Sequence, residues 1–182
     1  MRIKWFSLIR ITGLLLVLLY HFFQTVFPGG FFGVDVFFTF SGFLITSLLL
    51  EEFEQKGKID ILGFFRRRFY RIFPPVVLMV LVVMPFTFLV RQDYVAGIGG
   101  QIAGVLGFMT NFYEMLTGGS YESQFIPHLF VHNWSLAVEV HYYVLWGLAV
   151  WFLAKRAKTS GQLRGMIFLL SSATFMVSFL SM

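Results

Sequence analysis

Arg10, His21 and Asp35 are ionisable side chains set into one apolar stretch, RITGLLLVLLYHFFQTVFPGGFFGVDVFFTFSGFLITSLLL, from Arg10 to Leu50. An ionisable group at membrane depth costs at least ~2.5 kcal/mol on insertion scales, so it marks a function by default. Histidine can take a hydroxyl proton or briefly carry an acyl group, and its ordinary pKa suits both. A helix over residues 8–27 returns Arg10 and His21, eleven positions apart, to within about 20° of one face and about 16 Å apart along the axis. They are two stations on one stripe rather than an ion pair. The plain alternative is that Arg10 snorkels to the interface and His21 is a satisfied polar residue in a helix contact. Asp35, at the mouth of the next helix, either orients His21, pairs with Arg10 across the hairpin, or sits in the headgroup region with helix N-terminal stabilisation.

Three further groups carry possible chemistry. Arg67, Arg68 and Arg71 offer fork-shaped donors that match phosphate, and their plain reading is ordinary cytoplasmic charge. Glu139 lies five residues into an apolar run and reads as the buried partner of an arginine, Arg10 being the first candidate. His128 and His132 have the i, i+4 spacing that holds a metal on a helix, but Pro127 and the loop composition argue against a helix there and no nearby carboxylate completes the set. No metal site is expected.

The elements that position these groups follow from composition. With 58% hydrophobic and 13% charged residues, and 25 phenylalanines among 182, the chain lies outside the range of soluble domains. It is predicted to be an all-α polytopic transmembrane bundle of five to six membrane segments. The absence of cysteine excludes disulfide scaffolds, thiolate chemistry and cysteine-bound zinc. The net charge of +5 comes in short blocks between apolar runs, which fits the positive-inside rule and anionic lipid rather than nucleic acid. From Ile11 to Val34 no residue carries a formal charge, too long a run for a signal-peptide core, and no small-residue cleavage site follows. It is read as a retained first helix.

Charge-free windows place helices at about 8–27 and 31–50, joined by Pro28-Gly29-Gly30 into an antiparallel hairpin, and then at 74–90, 95–115, 134–154 and in a last run to Met182. Glu51 to Arg71 reads as an interfacial connection whose latter half lies amphipathic at the headgroups. Pro74-Pro75 would open the third helix. Strict alternation would put the basic loop Lys155 to Arg164 on the side opposite the arginine cluster, against the positive-inside rule. The conflict disappears if the glycine-rich segment 95–115 is re-entrant.

Four stretches together resemble the membrane-bound acyltransferase 3 family. They are Arg10 with His21; Gly33-Val34-Asp35-Val36-Phe37-Phe38 followed by Ser41-Gly42-Phe43-Leu44-Ile45-Thr46; Arg67-Arg68-Phe69-Tyr70-Arg71-Ile72-Phe73-Pro74; and Trp134-Ser135-Leu136-Ala137-Val138-Glu139. They cover residues 8–145, and the wording of RITGLLLVLLYHFF and WSLAVEVHYY is most similar to bacterial peptidoglycan O-acetyltransferases. The resemblance implies transfer of an acyl group, usually acetyl from cytoplasmic acetyl-CoA, to a hydroxyl of a cell-envelope glycan. It implies His21, Arg10, Asp35 and Glu139 as catalytic residues and Arg67, Arg68 and Arg71 as the acyl-CoA site, in a multi-pass protein of the bacterial plasma membrane. Residues 1–182 would be the N-terminal part of the membrane domain, lacking further helices and an extracellular esterase-like domain, so it is incomplete relative to the family. Gly13 and His141 depart from the residues common there. The rival readings are a transporter or flippase that uses buried charges as a relay, and an inactive membrane fragment.

Overall fold

The computed structural model describes residues 4–23, 25–89, 92–117 and 128–181, with only the backbone described at 4–7, 10, 92 and 93. Among these residues every regular element is helical: α1 Lys4–Phe22, α2 Phe32–Lys56, α3 Ile61–Val83, α4 Ile98–Leu106, α5 Thr110–Thr117, α6 Trp134–Ala154 and α7 Ser160–Leu180, with short 3-10 turns between. Four helical stretches are long and apolar enough to cross a membrane, 28–56, 61–89, 131–154 and 160–180, and α1 adds the shorter apolar run Ile11–Phe22. The leucines and phenylalanines exposed along α1, α3 and α7 are what a helix shows to lipid.

The hairpin forms where the sequence places it, and glycine sets its closeness. A Cβ on Gly33 would stand 2.6 Å from the Gly13 carbonyl oxygen, and one on Gly30 would stand 2.4 Å from that of Leu16. Only hydrogen fits at those two positions, so α1 and α2 meet backbone to backbone.

Two expected boundaries are wrong. The third helix starts at Ile61, where the Asp60 carboxylate caps it by accepting from the Gly63 N–H at 3.0 Å. The arginine block therefore lies inside a continuous helix rather than in an interfacial connection, and Pro74 and Pro75 sit in its interior. Those prolines cost the bonds to the Tyr70 and Arg71 carbonyls but do not end the helix, because packing on both sides of the pair holds it. The segment at 95–115 is likewise not one helix. It breaks at Gly107, Phe108 and Met109, with Phe108 in the left-handed region at φ 54°. At about 1.5 Å per residue neither α4 nor α5 reaches across a hydrocarbon core of about 30 Å.

That break resolves the topology. α3 leads away from the end where α2 finishes, α4 and α5 stay at the far end, and α6 returns. The basic loop before α7 thus shares an end with the arginine block, and Arg164 pairs directly with Glu54. All the basic blocks after the hairpin gather at this one end, hereafter the basic end. The larger core cluster, including Ile45, Leu49, Phe64, Val150 and Leu163, lies toward it. A smaller cluster of Val76, Val80, Val105 and Phe130 joins α3, α4 and the turn before α6.

Candidate active site

His21 occupies the last turn of α1, at the end opposite the basic blocks. Its Nδ1 is 2.8 Å from the Val17 carbonyl oxygen. A carbonyl only accepts, so Nδ1 carries the hydrogen, and in the neutral ring the lone pair lies on Nε2. The side chain borders a cavity of 730 Å³ whose polar lining comes from Asp35 in the first turn of α2 and from His132 and Ser135 at the entry to α6. Tyr20, Phe31 and Trp134 supply its aromatic walls. The imidazole of His132 meets that of His21 edge to face at 5.0 Å between centroids. The hairpin thus brings His21 and Asp35 to one cavity. The side chain of Arg10, and with it the expected pairings of Arg10 with Asp35 or Glu139, lies outside the described residues.

Glu139 lies in the middle of the seam between α2 and α6. Its Oε1 accepts from two hydroxyls, Ser41 of α2 and Tyr143 one turn along α6. The carboxylate shares a cavity of 330 Å³ with Arg68 and Arg71. A half-buried carboxylate between two helices needs such compensation, and two hydroxyl donors with guanidinium groups nearby provide it. The expectation of an arginine neighbour therefore leads to α3, with hydroxyls as the hydrogen-bond donors.

Arg67, Arg68 and Arg71 do not act as one flat patch. All three border a cavity of 390 Å³ at the basic end, together with Glu51 and Glu52. Arg67 reaches Glu52 at 3.3 Å with 58% of its side chain exposed, and Lys56 reaches the same glutamate at 3.0 Å. Arg68 turns inward over the rings of Phe64 and Tyr143, 5.6 and 5.7 Å from their centroids. Arg68 and Arg71 border both the basic-end cavity and the Glu139 cavity. From Asp35 to Glu52 along α2 is about 25 Å at the α-helical rise, so the histidine end and the arginine end are well separated.

His128 and His132 part company. His128 Nδ1 meets Glu114 Oε2 at 2.8 Å, a carboxylate that sequence spacing did not bring near, while His132 goes to His21. Among the described residues no three of His, Asp and Glu converge as a metal-ligand group. Sequence reasoning missed Tyr143 and the roles of Ser41 and His132. The i, i+4 spacing of Glu139 and Tyr143 was a signal for the first; the pairing of His132 depends on the turn before α6 and left none.

Residues 3–181 match the family described as acyltransferase domain. The chain is 35% identical over 142 residues to O-acetyltransferase OatA of Staphylococcus aureus (strain NCTC 8325 / PS 47), which covers 78% of this chain and 24% of that protein. It is 35% identical over 136 residues to the putative O-acetyltransferase SACOL0978 of Staphylococcus aureus (strain COL), 75% of this chain and 22% of that one. The chain thus spans about a quarter of the length of the curated relatives it matches. No solved structure matches it.

Proposed function

This chain belongs to the acyltransferase domain family, and from that premise we propose that it transfers an acetyl group from acetyl-CoA to a hydroxyl of a cell-envelope glycan such as peptidoglycan. The basic end faces the cytoplasm by the positive-inside rule, in the bacterial plasma membrane. There Arg67, Arg68 and Arg71 take the phosphates of coenzyme A, in part by displacing the Glu51 and Glu52 carboxylates that line the same cavity. The acceptor hydroxyl is met at the histidine end. The acceptor oxygen bonds to the acyl carbon, the carbon–sulfur bond of the thioester breaks, and the hydroxyl proton ends on the thiol. His21 Nε2 is the reacting nitrogen, whether it takes the proton or first carries the acetyl group. Asp35 stands on the same cavity to orient the imidazole or the acceptor, with Arg10 on the same helix. Glu139 holds Arg68 and Arg71 toward the seam through which the acyl group passes. The share of the relatives that the chain covers supports a larger enzyme, with more membrane helices and an extracellular esterase-like domain completing the transfer.

The observation that carries this reading is the place of His21, bound through Nδ1 to the Val17 carbonyl at 2.8 Å, on a cavity at the far end of α2 from the arginine-lined one. Membrane vesicles holding the protein and given acetyl-CoA labelled in the acetyl group test it. Label on glycan is expected to fall by about 10²-fold or more in His21→Ala; unchanged labelling removes His21 from the mechanism.

A further inference from the structure

His132 is brought by the turn before α6 to the one ring its sequence gave no reason to expect. Its imidazole stands edge to face against His21, 5.0 Å between centroids, and both border the 730 Å³ cavity. His128, four residues earlier, is engaged elsewhere with Glu114.

The environment of His21 shows what a second imidazole there would do. Because Nδ1 of His21 is committed to Val17, the ring exchanges protons through Nε2 alone. Such a base takes the hydroxyl proton and must give it up from the same atom. In between, the charge it holds faces a cavity walled in part by the rings of Tyr20, Phe31 and Trp134. Asp35 is the carboxylate on this cavity, set in the first turn of α2. A neighbouring imidazole whose ring centre stands 5.0 Å away on the same cavity offers the proton an exit.

We infer that His132 is a second working imidazole of this site, receiving the proton that His21 removes from the acceptor hydroxyl. The inference rests on the acyl-transfer reading above. As the acceptor oxygen bonds to the acyl carbon and the carbon–sulfur bond breaks, the proton passes from the hydroxyl to His21 Nε2, then to His132, and finally to the departing thiolate. No charge or atom is left over, and His21 returns to its neutral form for the next cycle.

Vesicles holding the full chain and given labelled acetyl-CoA provide the test. His132→Phe keeps a flat ring in place but no basic nitrogen; it is expected to lower turnover about 10²-fold while KM for acetyl-CoA stays within about twofold. In His132→Ala, imidazole added to the medium should restore turnover saturably, and pyrrole, equal in size but not basic, should not. Turnover in His132→Phe above about half of the original, or rescue by pyrrole equal to that by imidazole, overturns the inference and makes His132 a wall of the cavity. If transfer is absent from the unsubstituted protein, the acyl-transfer reading itself falls and takes this inference with it; if transfer survives His21→Ala, His21 leaves the mechanism and the inference falls with that assignment. If His21→Ala is inactive and His132→Phe is not, the inference falls alone.

Discussion

The two ends of the α2/α6 seam are built by different means. At the basic end Ile45, Leu49, Val150 and Leu163 have no exposure, four helices converge, and charged groups pair across elements. At the histidine end α1 packs chiefly on α2 through glycines, His21 is exposed, and the cavity is about twice the volume of the arginine-lined one, 730 against 390 Å³. A donor of constant shape suits the rigid end, and an acceptor that is part of a polymer suits the open one. The difference teaches that the two ends are closed by different means: large buried side chains fill the basic end, while close backbone contact between α1 and α2 leaves room beside it for the cavity that His21 borders.

The contrast predicts its own breaking points. The largest effect is expected at Gly33→Val. The new side chain collides with the Gly13 carbonyl, drives α1 off α2 and disassembles the histidine end, at about 3 kcal/mol or more. Unfolding in a denaturing detergent series should show a lower midpoint, with acetyl transfer lost at any donor concentration. Next comes Arg71→Lys, which keeps the charge but removes the fork. KM for acetyl-CoA should rise about tenfold with KM for the acceptor unchanged, because Arg71 does not border the cavity at the histidine end. Equal rises in both constants would mean that the two ends are not separate. Tyr143→Phe leaves Glu139 Oε1 with Ser41 as its remaining hydroxyl donor and is expected to cost about 1–2 kcal/mol of stability. Paired with Ser41→Ala in a double-mutant cycle, it should show coupling, since both hydroxyls serve one oxygen. The smallest effect belongs to Arg164→Gln, which loses an exposed ion pair with Glu54 and should change the unfolding free energy by no more than about 0.5 kcal/mol.

Much of this organisation was legible in the sequence. Charge-free windows located the crossing helices, and Pro28-Gly29-Gly30 located the hairpin, because both signals are local. The start of α3 was not legible. Four arginines argue against membrane burial, yet Arg68 is accommodated by the faces of Phe64 and Tyr143, and the latter comes from a helix far along the chain. The pair Pro74-Pro75 pulled the expected boundary the same way, since proline opens helices more often than it sits within them. The apolar run at 95–115 had the length to cross, and only the turn at Phe108 shows that it does not. For the candidate site, His21 and Asp35 were readable from an adjacent hairpin. Placing Ser41 on Glu139 spans 98 residues and His132 on His21 spans more than a hundred, distances over which no periodicity speaks.

The hydrogen bond from His21 to Val17 has a corollary for how α1 tolerates change. Because the imidazole leans on a carbonyl one turn back along its own helix, its bearing is inherited from the winding of that turn. One extra residue inserted between Leu14 and Val17 would carry every later position round by about 100° relative to the glycines below it. The ring would keep its hydrogen bond and yet swing away from Asp35 toward lipid. The final turns of α1 therefore work as a protractor: their length in residues, more than their hydrophobicity, decides where the imidazole points.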